Sequence, residues 1–246
     1  MIKLCSILLL GLAFSATKPA PALRLEALRG AIWILRANES KPTRLQTSVS
    51  VRKGDLLFTD RGASVKIRYS ATRWVTLGSG TVYVAGAGKG DTGKLLQGHL
   101  RSVGGVGLDV AGARVKQKNR GWYLAHAARD ETELGRAMSG EFPPWVPSNP
   151  PLGKWIVQLR KLALNKNRRG QIEVGQGEAE IELTQQSRSK GPRRQLLQAG
   201  DAARFSPKQL QFPQTNPGVD EVSILTRTVG ITEEPDLALP GAPLVR

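Results

Sequence analysis

Residues 51–85 read VRKGDLLFTDRGASVKIRYSATRWVTLGSGTVYVA. This stretch decides the fold class: within it, as over all of Leu23 to Ala85, short runs rich in Val, Ile, Leu, Thr, Trp and Tyr are broken by turn residues, and over the longer span Gly, Asp or Asn breaks them every eight to twelve residues or so, as in an all-β sandwich or barrel-like domain. Strands are expected at Leu56 to Thr59, Ser64 to Tyr69, Arg73 to Leu77 and Thr81 to Ala85. Val65, Ile67 and Tyr69 alternate with Ser64, Lys66 and Arg68, which puts an apolar face inward and basic residues outward. Trp74 and Leu77 break the alternation, so that strand carries a bulge or is covered on both faces. Lys53-Gly54-Asp55 and Asp60-Arg61-Gly62 each supply a Gly and an Asp for a tight turn. Upstream, Ala31 to Arg36 and Val49 to Val51 extend the pattern.

Downstream, Gly86 to Gly112 contains nine glycines. Gly86, Gly88 and Gly90 do not make a phosphate loop, because no Gly-Lys-Ser/Thr ending or helix signal follows. GKLLQGHLRSV (93–103) reads as a strand, a Gly turn and a second strand. From Trp122 to Met138 the spacing of Leu124, Ala127, Ala128, Leu134 and Met138 predicts a helix, stopped by Gly140. FPPWVPSNPPLG (142–153) has five prolines, which forbid helix and central strand alike and leave a linker or extended wrapping segment, with Trp145 packed on the body. Trp155, Ile156, Leu159, Leu162 and Ala163 predict a short helix over Lys154 to Leu164. Strands return at Gln171 to Val174, Ala179 to Leu183, Gln195 to Gln198 and Ala202 to Phe205. Ile172 and Val174 alternate with Glu173, and Ala179, Ile181 and Leu183 with Glu180 and Glu182, as in half-exposed antiparallel strands.

The whole chain has 246 residues, with 36 Lys plus Arg against 20 Asp plus Glu, a formal charge of +16, one Cys and two His. A hydrophobic content of 40% is enough for a real core. One cysteine excludes a disulfide framework and any structural zinc site needing two or more. At the N-terminus, MIKLCSILLLGLAFSA places Lys3 before an apolar run from Leu4 to Phe14, and small residues follow: the plan of a secretory signal peptide. That run falls well short of the roughly 20 residues that span a bilayer. Small residues allow cleavage after Ser15 or after Ala22; the second leaves a signal of ordinary length. Cys5 lies within the signal, so the mature chain has no cysteine, and losing Lys3 and Lys18 leaves it at +14. After the signal no segment is long and apolar enough to cross a membrane. Beyond Phe212 the tail carries Asp220, Glu221, Glu233, Glu234 and Asp236 against Arg227 and Arg246, a net of −3, and is expected to be loosely packed or disordered.

The order of these elements resembles the FecR domain, an extracytoplasmic β-rich domain. LRGAIWILR resembles its opening strand, and VRKGDLLFTDRGASVKIRY its Gly-Asp, Thr and turn run ahead of an alternating strand. WVTLGSGTVYVAG resembles its strand, Gly-rich turn and strand. In a second block, GQIEVGQGEAEIELTQQ and RRQLLQAGDAARFSP resemble its later hairpin and its closing Leu, Ala-Gly-Asp and hydrophobic stretch. Where the family shows Asp-Gly-Ser before the Trp74 strand, this chain has Ser70-Ala71-Thr72.

The expected architecture is therefore all-β, an antiparallel sandwich or barrel-like FecR-type domain with one or two short helices in a Pro-rich insertion. Residues 1–22 are the signal peptide, 23–120 the first part of the domain, 121–165 the helical and Pro-rich insertion, 166–212 the completing hairpins and 213–246 the acidic Pro-rich tail. The resemblance implies sensing or regulation outside the cytoplasm.

The chemistry agrees with a binding role rather than an enzyme. His126 and Asp130 fall four residues apart on the expected helix, a spacing suited to a metal pair, but no third ligand is evident. His99 lies in the glycine-rich stretch. Glu178, Glu180 and Glu182 share one strand face, where the Arg188 to Arg194 loop neutralises them. No catalytic set, metal or cofactor is expected. Arg160, Lys161, Lys166, Arg168, Arg169, Arg188, Lys190, Arg193 and Arg194 form a candidate anion-binding surface with salt-sensitive affinity. The leading reading is a periplasmic or secreted interaction or ligand-sensing module whose partner is an envelope protein. The alternative is a structural protein that binds an anionic envelope polymer through the basic clusters; nucleic acid is not expected, since few aromatics are free to stack on bases.

Overall fold

A computed structural model of the chain describes residues 23–37, 39, 41–86, 92–130, 132–134, 168–184 and 194–206, and the backbone of 209–210 and 214–215. The first half contributes β1 (Leu23–Arg29), β2 (Ile32–Leu35), β3 (Thr43–Leu45), β4 (Ser50–Val51), β5 (Leu56–Thr59), β6 (Ser64–Ser70), β7 (Arg73–Leu77), β8 (Val82–Val84) and β9 (Gly93–Val103). The second contributes β10 (Leu108–Val110), β11 (Ala113–Gln117), β12 (Trp122–Ala128), β13 (Arg169–Gln176), β14 (Glu178–Leu183), β15 (Arg194–Gln198), β16 (Asp201–Ser206), β17 (Gln209–Leu210) and β18 (Gln214–Thr215). The fold is all-β, one large mixed sheet that does not close into a barrel.

The sheet works as two layers that share β9. The first layer runs β4-β1-β6-β7-β9-β12-β13-β16, with β17 and β18 on the far side of β16. The second runs β3-β2-β5-β8-β9-β10-β11-β14-β15. Every pairing is antiparallel except β9 with β10, which is parallel. Gly98 sits at the crossing: before it β9 pairs with β8 and β10, after it with β7 and β12, and its φ of +88° is a bend that favours glycine. The expected strand-turn-strand over 93–103 is thus one strand, bent at its glycine.

Inner side chains of both layers meet in one core that includes Leu25, Ile67, Leu100, Leu57, Val110 and Ile181. Each fully buried aliphatic side chain contributes about 1.5–3 kcal/mol, so this shared core holds the layers together. Asp55, in the Lys53-Gly54-Asp55 turn, is buried and accepts hydrogen bonds from Arg52 N at 2.8 Å, Arg36 Nη1 at 2.6 Å and Ala37 N at 3.3 Å. One carboxylate thereby ties the end of β2 to the start of β5.

Two expectations are corrected. Trp122 to Ala128 is not the start of a helix but strand β12, paired on one side with β9 and on the other with β13. All seven of its residues are buried, so no period-two alternation marked it as a strand, and pairing overrides the helix preference of its Leu and Ala residues. Among the described residues, helix appears only at 132–134, where Glu133 N donates to Asp130 Oδ1 at 2.8 Å, a helix cap. β13 is also not half-exposed: Gln171 and Glu173 are as buried as Ile172 and Val174. The predicted signal peptide, the Pro-rich stretch, the helix over 154–164 and the tail beyond 215 lie outside the described residues.

Candidate functional site

Because β-side chains alternate, the first layer has a second face, turned away from the shared core. Pairing brings residues from distant strands into rows across it. One row joins Lys66, Thr76, Arg101, Leu124 and Glu173; a second joins Arg68, Trp74, Val103 and Trp122; a third joins His99, His126, Gln171 and Arg204.

Trp74, Val103, Trp122 and Leu124 form an apolar cluster there, and the cations lie over its rings. Arg101 Cζ is 4.2 Å from the Trp122 ring centroid, Lys66 Nζ is 4.8 Å from that of Trp74, and Arg68 Cζ is 6.0 Å from the same ring. Arg68 also pairs with Glu26, Nε to Oε2 at 2.7 Å. A cation over a tryptophan face is attracted by the ring quadrupole, more strongly when desolvated. The close fit of Trp122 needs Gly175, since a Cβ there would meet its ring.

The third row, joined by Glu173 of the first, forms a chain of polar contacts that is buried except at half-exposed Arg204. Arg204 Nε donates to Gln171 Oε1 at 2.9 Å, Gln171 Nε2 donates to Glu173 Oε1 at 2.7 Å, and His126 Nε2 lies 3.8 Å from that same oxygen. His126 stacks on His99. Burial pushes the His99 imidazole down to about 3, with His126 adding to the effect. His126 is lowered by burial and partly restored by Glu173. Both rings are neutral at pH 7. Among the described residues, no group of three His, Cys, Asp or Glu side chains is placed to hold a metal ion. The expected His126–Asp130 helical pair does not exist, because His126 is on a strand, and His99 is on β9 rather than in a loop.

Of the basic residues expected to bind anions, Arg160, Lys161, Lys166, Arg188, Lys190 and Arg193 lie outside the described residues. Arg168 leaves that surface: it is buried, and its Nη2 donates to the carbonyls of Leu95 at 2.7 Å and Leu96 at 2.6 Å. Its job is to satisfy β9 next to the Gly98 bend; burial lowers its guanidinium to about 10. Arg169 is half-buried at the start of β13, opposite Ala128. Arg194 is exposed and binds Glu182 at 2.7 Å, so its charge is matched within the sheet. The expected neutralisation of the Glu178, Glu180 and Glu182 face is present at this pair. β11 and the residue after it contribute as well, with Arg114 in register with Glu182 and Lys118 2.6 Å from Glu180.

Sequence reasoning placed Lys66 and Arg68 outward; they do lie on the face turned from the core, but Lys66 is buried there, and Arg101, Trp122 and Glu173 were not reached as their neighbours. The fold and this face together define an all-β scaffold that carries a row of cations over tryptophans. No family model matches the chain, and no curated protein does. Among solved structures it is similar to two crystal structures of a "putative anti-sigma factor" from Parabacteroides distasonis, each at a TM-score of 0.40, with 10% and 11% sequence identity. Each likeness covers 65% of this chain, which spans 58% of the other.

Proposed function

We propose that this chain is a non-enzymatic binding module of the bacterial envelope, exported to the periplasm or secreted, whose partner is an envelope protein. The resemblance to FecR domains supports a sensing or regulatory role. The observation that carries the reading is the row of cations over Trp74 and Trp122 on the face turned from the core: Lys66, Arg101 and both tryptophans are buried within the chain, and half-exposed Arg68 is the member a partner can reach. A face that only needed covering would be cheaper in aliphatic residues, because a buried cation loses its hydration. Arg and Trp are instead the residues enriched where proteins recognise one another.

Capture from envelope extracts tests the proposal. A protein partner retained at roughly 0.5 M salt, and lost with Arg68→Ala at unchanged fold, is the expected result. If all capture disappears at that salt, the chain is better read as a structural protein holding an anionic polymer through its excess of basic residues. Fractionation of cells expressing the chain with and without residues 1–22 tests export separately.

A further inference from the structure

Strand β15 is the outer edge of the second layer. It pairs with β14, from Glu182 opposite Arg194 to Glu178 opposite Gln198, and with no other described strand. It is also the longest described edge, since β3 has three residues and β4, β17 and β18 have two each. Proteins commonly protect such an edge with Lys, Pro or shortness. Residues 194–198, RQLLQ, have neither Lys nor Pro. At the centre stands Leu196, 51% exposed, the only large hydrophobic so exposed among the described residues. Leu197 beside it is buried in the core, which fixes which face each residue presents.

We infer that β15 is a dimerisation edge that pairs antiparallel with β15 of a second copy, about a two-fold axis through Leu196. Side-chain alternation allows only registers that pair like faces, which restricts the axis to a residue position. Centred on Leu196, all five residues pair. Leu196 then meets its own copy, and Arg194 meets Gln198 of the second copy. Each Arg194 is left between the Glu182 already bound to it and an amide, so no like charges oppose. A register centred on Arg194 would set Arg194 against Arg194, and one centred on Gln195 or Leu197 would leave Leu196 beside a polar residue. Pairing of one edge with its own copy closes the assembly at two chains.

The test uses the full chain with Cys5→Ser. Directly opposed Cα atoms of an antiparallel pair lie about 4.5–5.5 Å apart, within reach of a disulfide. Leu196→Cys is therefore expected to give a reducible covalent dimer on mild oxidation, whereas Lys116→Cys, exposed on β11, is not. Light scattering on the unmodified chain is expected to show a monomer–dimer equilibrium that Leu196→Lys weakens by tenfold or more, about 1.4 kcal/mol. Because Leu196 is exposed, circular dichroism should report an unchanged fold for each variant. A chain that stays monomeric at every concentration, or a dimer that Leu196→Lys leaves intact, overturns the inference.

Discussion

His99 and His126, on adjacent strands β9 and β12, stack inside the protein with ring centroids 6.1 Å apart and planes 26° apart. Both are buried, and burial holds both below the usual histidine range. Their neutral forms belong to the fold.

The first prediction is a loss of stability in mild acid. Folded His99 titrates near 3 and an unfolded histidine near 6.5, so between those values the unfolded chain binds more protons. Stability is then full above pH 6.5 and falls as pH drops through the window, by up to about 1.4 kcal/mol per pH unit for each histidine. Urea midpoints at several pH values between 7.5 and 5 measure the slope. His99→Asn is expected to flatten it; an unchanged slope would remove His99 as its origin.

Gly78 sets the room for that stack. A Cβ there would meet the His99 ring, so Gly78→Ala is expected to cost about 1–3 kcal/mol by overpacking. Combined with His99→Ala the loss should be less than additive, because the clash has been removed. A double-mutant cycle from denaturant unfolding gives the coupling.

Arg168 predicts a local effect. Replacing it with Met leaves the Leu95 and Leu96 carbonyls without their charged donor, at a cost of about 1.5–3 kcal/mol for each such bond lost. Hydrogen exchange should accelerate first in β9 around Gly98. Uniform acceleration across both layers would argue against a local clamp.

Asp55 is expected to be among the most sensitive turn positions. Asp55→Ala removes the acceptor of two backbone donors and leaves the half-exposed Arg36 guanidinium with only its bond to the Ser50 carbonyl, and the loss is expected at about 2–4 kcal/mol. Asp60→Ala removes only a bond to the neighbouring Arg61 N and should change the urea midpoint little. Similar midpoints for the two variants would contradict the assigned role of Asp55.

Much of the fold was legible where one face of a strand meets water. β14 alternates buried Ala179, Ile181 and Leu183 with half-buried Glu178, Glu180 and Glu182, and β5 and β7 lie where their runs of residues placed them. Legibility failed where both faces are covered. In β12 every residue is buried, so a continuous apolar run carried no period, and Leu and Ala favoured the helical reading. A signal for the true helix start was present in Asp130 and Glu133, whose spacing is that of a capping pair.

The sequence by itself determined the class of the fold: strand length, turn chemistry at Gly54 and Gly62, and inward–outward alternation are local properties that neighbouring residues dictate. Only the tertiary structure decided which residues act together. Arg168 reaches a carbonyl 73 positions earlier, His99 meets His126, and Lys66, Arg101 and Glu173 fall into one row across five strands. Those neighbours are set by strand order and register, and register follows from how two distant apolar faces close on one core.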